Sequence, residues 1–430
     1  MKLVCKYLLI LSLFIVFNKS NAQIVGSDAF MLGISAEVAV NECGVYGSQG
    51  SAPSGFHPNV GSAIGFVADA DEDGWDDGDP EYCGDFFVPG TPEEGWALQH
   101  GDNVYTNHDQ SCYDFDIAGS IASYSYDGGF YNVTWEGEVA SEGMTVTQIT
   151  TFPEDKLYFV TRILICNNTD STLTNVYYMR NVDPDQDQPF CGTFETHNEI
   201  IYQPPTDDRA LVTSIGASCG CFLGMGAIDP NARVAWGNFF TTDGIPSEVW
   251  DGTAAGYSSE IGDETDCDCG TQIVFKVDAI LPGECKCIAF AYILDEDDLE
   301  EALEATLTYN LNVNGIGVPS GGSYGVCNVG DTANLSIVGA DSSYSWTWEP
   351  STGLSGTVGE MVTATVTDTI TYTATGVGGF CGDAIIQVTL FPDEDEFADA
   401  GDDTEICIGL STPLTGDGGV SDSIYIWSPS

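Results

Sequence analysis

The sequence predicts an all-β protein: a large N-terminal β-sandwich followed by smaller β-sandwich modules, the last of them incomplete. Three observations carry this. The 430 residues include 50 glycines and only six methionines, with 43% hydrophobic and 11% aromatic residues, which favours short strands and tight turns around real cores. Runs rich in Thr, Val, Ile and Tyr recur along the chain between Gly, Asn, Asp and Pro. Near the C-terminal end the sequence begins to repeat itself with a period of about 80 residues.

Residues 1–22 read as a signal peptide. Lys2 and Lys6 precede the apolar run LLILSLFIVF, and Ser20-Asn21-Ala22 offers small residues for cleavage after Ala22. Cys5 lies ahead of the apolar run, where a lipidated cysteine would not be. No later stretch approaches the ~20 apolar residues of a membrane helix, so no transmembrane segment is expected and the mature chain is extracellular or on the outer cell surface. Cleavage removes three lysines and no acidic residue, taking the formal charge from −56 to −59. Such a charge excludes nucleic acid and anionic membranes as partners, since both need a basic footprint. It suits a saline, calcium-containing medium in which cations screen the repulsion.

Residues 23–310 carry strand-like runs such as YNVTWEGEV, MTVTQITTF, KLYFVTRILIC, NVYYMR, ARVAWGNFF, QIVFKVDAI and CIAFAYIL, the pattern of a sandwich. One helix is expected at the end of this domain: Asp295 caps EDDLEEALEATL, acidic residues occupy its first turn, and Leu299, Leu303 and Leu307 recur every four residues to face the sheet. Eleven cysteines fall in this domain, among them the C-x-C pairs Cys219/Cys221, Cys267/Cys269 and Cys285/Cys287. Export favours disulfides. Two residues apart on a strand puts both sulfurs on one face, so each pair is expected to bridge to neighbouring strands and not internally. Zinc held by six clustered thiols is the competing reading. The odd count leaves one thiol over.

After the helix comes a Gly-rich linker, NVNGIGVPSGGSYG, and a shorter unit at 318–392 with strands at TANLSIV, YSWTWEP, MVTATV, TITYTAT and AIIQVTLF. An acidic linker, PDEDEFADAGDD, leads into 396–430, where Cys407, Leu414 and Trp427-Ser428-Pro429 match Cys327, Leu335 and Trp348-Glu349-Pro350 at offsets of 79 or 80. The final segment thus reads as the first third of a second module, and the chain as part of a longer protein.

A repeat of Cys, then Trp about 20 residues on, then Cys resembles an immunoglobulin-like sandwich, and the position of Cys381 after the Tyr372 strand is closer to PKD-like modules. The combination of ADAGDD-x-x-IC-x-G, W-x-P-x-x-GL and T-x-TYT-x-T…C over residues 318–430 is similar to modules of gliding-motility-associated surface proteins and adhesins. The resemblance implies Ig/PKD-like spacers, a Cys327–Cys381 disulfide, and export by machinery that reads a C-terminal sorting domain, which this sequence does not contain.

Two acidic stretches are candidate sites. Asp69, Asp71, Asp73, Gly74 and Asp77 follow the D-x-D-x-D-G-x-x-D order of calcium loops, in which alternating carboxylates converge on one ion. Pro80 stands where an EF-hand has its bidentate Glu, and no flanking helices are visible, so the alternative is a solvated turn. The second stretch, Arg180-Asn181-Val182-Asp183-Pro184-Asp185-Gln186-Asp187 with Glu195 and His197 nearby, reads as a second cation site, a sugar-binding rim or a charged loop. Enzyme signals are thin. G-x-S-x-G occurs at Gly216–Gly220 and Gly321–Gly325 without the strand-turn-helix of a nucleophile elbow. His57, His100, His108 and His197 form no metal motif.

These features predict no catalytic residues and a non-catalytic exported protein for adhesion or for glycan or protein binding, with an extracellular glycan or surface protein as partner and calcium as its cofactor. The alternative is a secreted carbohydrate-active enzyme with a carboxylate site in the N-terminal sandwich. Trp75, Trp96, Trp135, Trp236 and Trp250 are its candidates for stacking on sugars, or else core residues.

Overall fold

The computed structural model describes residues 22–392, apart from 57–62, 71, 73–74, 76–83, 92, 109–111, 113, 240–244, 308, 319, 339–343, 379–380 and 382–383. Residues 1–21 of the expected signal peptide and all of 396–430 lie outside the described residues. The described chain is all-β, as expected.

Two large antiparallel sheets form the first domain. One has nine strands, in spatial order Glu264–Cys267, Thr196–Tyr202, Arg209–Gly216, Phe222–Ile228, Cys285–Ile293, Tyr158–Asn167, Met144–Pro153, Phe130–Val139 and Ala118–Asp127. The other has seven: Tyr257–Ser258, Ala232–Gly237, Gly270–Ile280, Leu173–Val182, Glu94–His100, Asn103–His108 and Asp114–Phe115. Met144–Pro153 alternates buried and half-buried positions, because successive side chains on a strand point to opposite faces and only one face meets the core. Across the sandwich, Trp96 of the seven-stranded sheet meets Trp135 of the nine-stranded sheet edge to face at 5.3 Å. Both tryptophans are core residues and neither is available to a sugar. A small sheet of Ala22–Val25, Asp28–Leu32, Ala36–Val40 and Phe66–Ala68 adds Met31, Val38 and Phe66 to the same core.

Both faces of the central strands are covered. Glu94–His100 is buried along nearly its whole length, since the short helix Pro246–Trp250 closes a second apolar cluster of Ala97, Met179, Val249 and Val274 over its outer side. On the outer side of the nine-stranded sheet lies the expected helix. Asp295 accepts a hydrogen bond from the Asp297 backbone N–H (2.8 Å), Glu296–Asp298 forms a 3-10 turn, and Leu299–Ala305 is α-helical. Leu303 is buried among Tyr158, Leu211, Ala291 and Ile293, with Leu299 half-buried beside it, while Leu307 lies beyond the helix end.

The second unit is a separate sandwich of two four-stranded sheets: Ile316–Val318, Asn310–Val313, Thr332–Val338 and Met361–Thr365 against Gly322–Val326, Ala384–Pro392, Ile370–Val377 and Ser345–Glu349. Its own core holds Trp346, Trp348, Tyr372 and Leu335. The segment expected to be a linker is here a β-hairpin of this module. Asn314 and Gly315 stand at φ of 53° and 83°, the left-handed pair of a tight hairpin turn, and Leu311 pairs with both Val318 and Ile337.

The cysteines correct two expectations. Cys267 and Cys269 are bonded to each other, with Cα atoms 5.3 Å apart, because the pair spans the bend between two strands and does not lie along one. Cys285 and Cys287 do lie on one strand and bridge outward as expected, to Cys166 and Cys381. Cys381 is therefore not the partner of Cys327, which is the free cysteine among the described residues. Cys327 follows a strand that pairs with the far end of Ala384–Pro392, where Val326 stands opposite Pro392, whereas Cys381 precedes the near end. Eight strand steps of about 3.3 Å put the two thiols on the order of 26 Å apart, beyond any disulfide. Cys287 of the first domain thus finds its partner in the module.

Candidate functional site

The seven-stranded sheet converges three carboxylates at one end. Leu173–Val182 is paired on one side with Glu94–His100 and on the other with Gly270–Ile280, so Val182 stands between Glu94 and Thr271. The chain then leaves the sheet through Asp183-Pro184-Asp185. The Asp183 backbone N–H donates to the Glu93 carbonyl (2.9 Å) and that of Asp185 to the Phe86 carbonyl (2.6 Å), which anchors both residues beside the strand end. From the neighbouring strand comes Asp268, at the tip of the bend clamped by the Cys267–Cys269 disulfide.

Carboxylate oxygens of Asp183, Asp185 and Asp268 lie within 4.8 Å of one another. They line a pocket of about 360 Å³ with Gly90, Thr91, Glu93, Phe194 and Phe239. Gly90 sits at φ 73°, where a Cβ would come within 2.9 Å of Phe194, so the absence of a side chain lets this wall close on Asp185. Asp183 is 7% exposed and Asp185 2%, and the Oδ1 atom of each has no hydrogen-bond partner among the described residues. Burial, followed by the charge of Asp268, pushes the Asp183 carboxyl up to about 7. Burial, followed by Asp183 and Asp268, pushes Asp185 up to about 9. Asp268 is raised by burial and then by Glu195. Three carboxyls this close repel one another, and each is easier to protonate than an ordinary carboxyl.

The other residues of this stretch have different roles. Arg180 is fully buried in the sandwich interior, where Nε and Nη2 pair with the two oxygens of Glu94 and Nη1 donates to Gln148 Oε1 (3.0 Å) and the Gly44 carbonyl (3.1 Å). The Tyr292 hydroxyl donates to the same Glu94 (3.0 Å). Asp187 accepts hydrogen bonds from the backbone N–H groups of Ser218 (2.8 Å) and Cys219 (2.7 Å), holding the turn that contains the first G-x-S-x-G. That motif joins two strands and has no helix after it, and the second runs into the module strand Gly322–Val326. His197 does not reach the pocket. Its Nδ1 is 2.8 Å from Asp266 Oδ1, and it forms a surface group with Glu199 and Glu264.

Of the first acidic stretch, Asp69 is buried just after the strand Phe66–Ala68, its N–H donating to the Ser35 carbonyl (2.8 Å). Asp71, Asp73 and Asp77 lie outside the described residues. Two of the candidate stacking residues are half-buried and away from the pocket lining: Trp236 Nε1 donates to the Asp263 carbonyl (3.1 Å) and Trp250 Nε1 to the Asn231 carbonyl (2.8 Å). Asp268 was missed by sequence reasoning because it is 83 to 85 positions from its partners. The one local signal was its place between two cysteines.

No protein-family model and no curated protein matches the chain. Similar solved structures include a polysaccharide lyase (11% identity, TM-score 0.26, 71% of this chain and 40% of that one) and a bacterial glucoamylase complexed with acarbose (7%, 0.34, 66% and 32%). The chain thus spans less than half the length of either. A galactose mutarotase-related enzyme from Lactobacillus acidophilus is similar at 8% identity and TM-score 0.26, covering 62% of this chain and 96% of that one. Likeness at this level identifies neither a fold family nor a chemistry.

Proposed function

We propose that the chain is an exported, non-catalytic binding protein of the gliding-motility-associated or adhesin type, in which the N-terminal sandwich binds an extracellular glycan or surface protein and Ig/PKD-like modules act as spacers. The observation that carries this reading is the Cys287–Cys381 disulfide, which ties the large sandwich to the module that follows it. A covalent tie across a domain boundary suits a display stalk, where the orientation of a binding domain has to be kept outside the cell. The bonded cysteines and the strong acidity support an extracellular place for it. Among the described residues no helix is long and apolar enough to cross a membrane.

A second reading, a secreted carbohydrate-active enzyme, draws on the pocket. A pair of carboxyls is the machinery of glycoside cleavage, and burial together with the neighbouring carboxylates raises both Asp183 and Asp185, as a general acid requires. One screen separates the two: the purified full chain incubated with a panel of soluble and insoluble polysaccharides, read for retention and for released product. Retention without reducing ends or unsaturated sugars is the expected result. Product formation that disappears in Asp185→Asn would overturn the non-catalytic reading in favour of the second.

A further inference from the structure

We infer that Asp183, Asp185 and Asp268 form a calcium site at the end of the seven-stranded sheet, distinct from the Asp69–Asp77 stretch. The geometry comes first. Oxygens bound to one calcium ion at about 2.3–2.6 Å sit on a shell roughly 4.6–5.2 Å across, so three carboxylate oxygens mutually within 4.8 Å all fit that shell. The second observation is independent of the clustering. Asp183 and Asp185 are more than nine-tenths buried, line the pocket, and carry Oδ1 atoms with no hydrogen-bond partner among the described residues. Buried polar atoms are nearly always satisfied, and of the groups that could satisfy a buried oxygen in a cluster of three carboxylates, a cation is the one that also offsets their mutual repulsion.

The donor set selects the kind of ion. All three side chains offer hard oxygen ligands, and among the described residues the pocket lining contains neither a histidine nor a thiol, so the site suits calcium or magnesium better than zinc or copper. The pocket of about 360 Å³ beside the carboxylates leaves room for the waters that complete a shell of six to eight oxygens. Rigidity is built in from both sides: backbone hydrogen bonds hold Asp183 and Asp185, and the Cys267–Cys269 disulfide holds the bend that carries Asp268. An ion here would fasten the exit of one strand to the entrance of the next.

This inference does not depend on what the domain binds outside, and its test reads calcium alone. The full chain, stripped with chelator, is titrated with CaCl2 and separately with MgCl2 at neutral pH, by calorimetry and by thermal melting. Calcium is expected to bind and to raise the melting temperature. Asp185→Asn should weaken calcium binding about tenfold or more, since affinity follows the number of charged ligands. Asp268→Asn should do the same, and because Asp268 sits on an exposed bend it tests the site even where Asp185→Asn fails to fold. Absence of any calcium response in the wild-type chain would overturn the site. So would wild-type affinity in Asp268→Asn, or loss of the response in Asp71→Ala with retention in Asp268→Asn, which would assign the calcium to the earlier stretch.

Discussion

Arg180 carries its charge into the middle of the sandwich, where Glu94, Gln148 and the Gly44 carbonyl are placed to receive it and the Tyr292 hydroxyl donates to Glu94 in turn. Removing either ion alone leaves the other buried and uncompensated. Arg180→Met or Glu94→Gln is therefore expected to cost about 3–5 kcal/mol, and the double substitution less than the sum of the two, measured by denaturant unfolding. Asp85 makes a different demand. Its carboxylate accepts from the backbone N–H groups of Gly65 (2.7 Å), Val88 (3.1 Å) and Phe87 (3.3 Å), yet burial still pushes it up to about 7. The folded chain thus holds a proton that the unfolded chain has released above about pH 4. Stability from this group is fully present below that pH and is lost as the pH rises through about 7. Asp85→Asn removes the titration, so the wild-type chain should lose stability relative to this variant between pH 4 and 7. Parallel stability curves would refute it.

At the scale of single elements, the helix Leu299–Ala305 is seven residues long, too short to persist on its own propensity, and it stands because the sheet receives it. Gly226, on the strand Phe222–Ile228, leaves the groove: a Cβ there would come within 2.7 Å of Leu303 Cδ2. Leu303→Ala is expected to destabilise the first domain by about 2–5 kcal/mol, read in chemical unfolding, with the larger part of that range applying if the groove does not collapse. A cost below about 1 kcal/mol would mean that the helix is not seated as described. The hairpin at Asn314-Gly315 was equally local in origin. Asn-Gly between apolar positions is a strong turn signal, and a glycine-rich composition masked it.

Over the whole molecule the disulfides decide how the parts are joined. Each sandwich has its own apolar core, and Cys287–Cys381 connects the two. Peptide mapping of unreduced protein should recover Cys287 joined to Cys381 and Cys327 open to alkylation; a Cys327–Cys381 peptide would overturn this arrangement. Cys381→Ser should leave both sandwiches folded while opening the segment around residues 306–310 to limited proteolysis, because the chain there would become the main tie between them.

What the sequence determined by itself depends on near neighbours, though the hairpin at Asn314-Gly315 and the Cys267–Cys269 bond show that not every local feature was legible. Alternating runs such as Met144–Pro153 announced strands, the Asp295 cap and the leucine spacing announced the helix, and cysteine usage announced a disulfide-bonded chain. The tertiary structure alone decided which distant residues meet. Asp268 joins Asp183 and Asp185 because Gly270–Ile280 is hydrogen-bonded to Leu173–Val182 across more than 80 positions of chain, and strand order is set by burial of whole sheet faces, not by any local pattern. The cysteine pairs follow the same rule. Cys327 and Cys381 fit a spacing, but a disulfide requires proximity, and the parallel pairing of Gly322–Val326 with Ala384–Pro392 carries them to opposite ends of a strand.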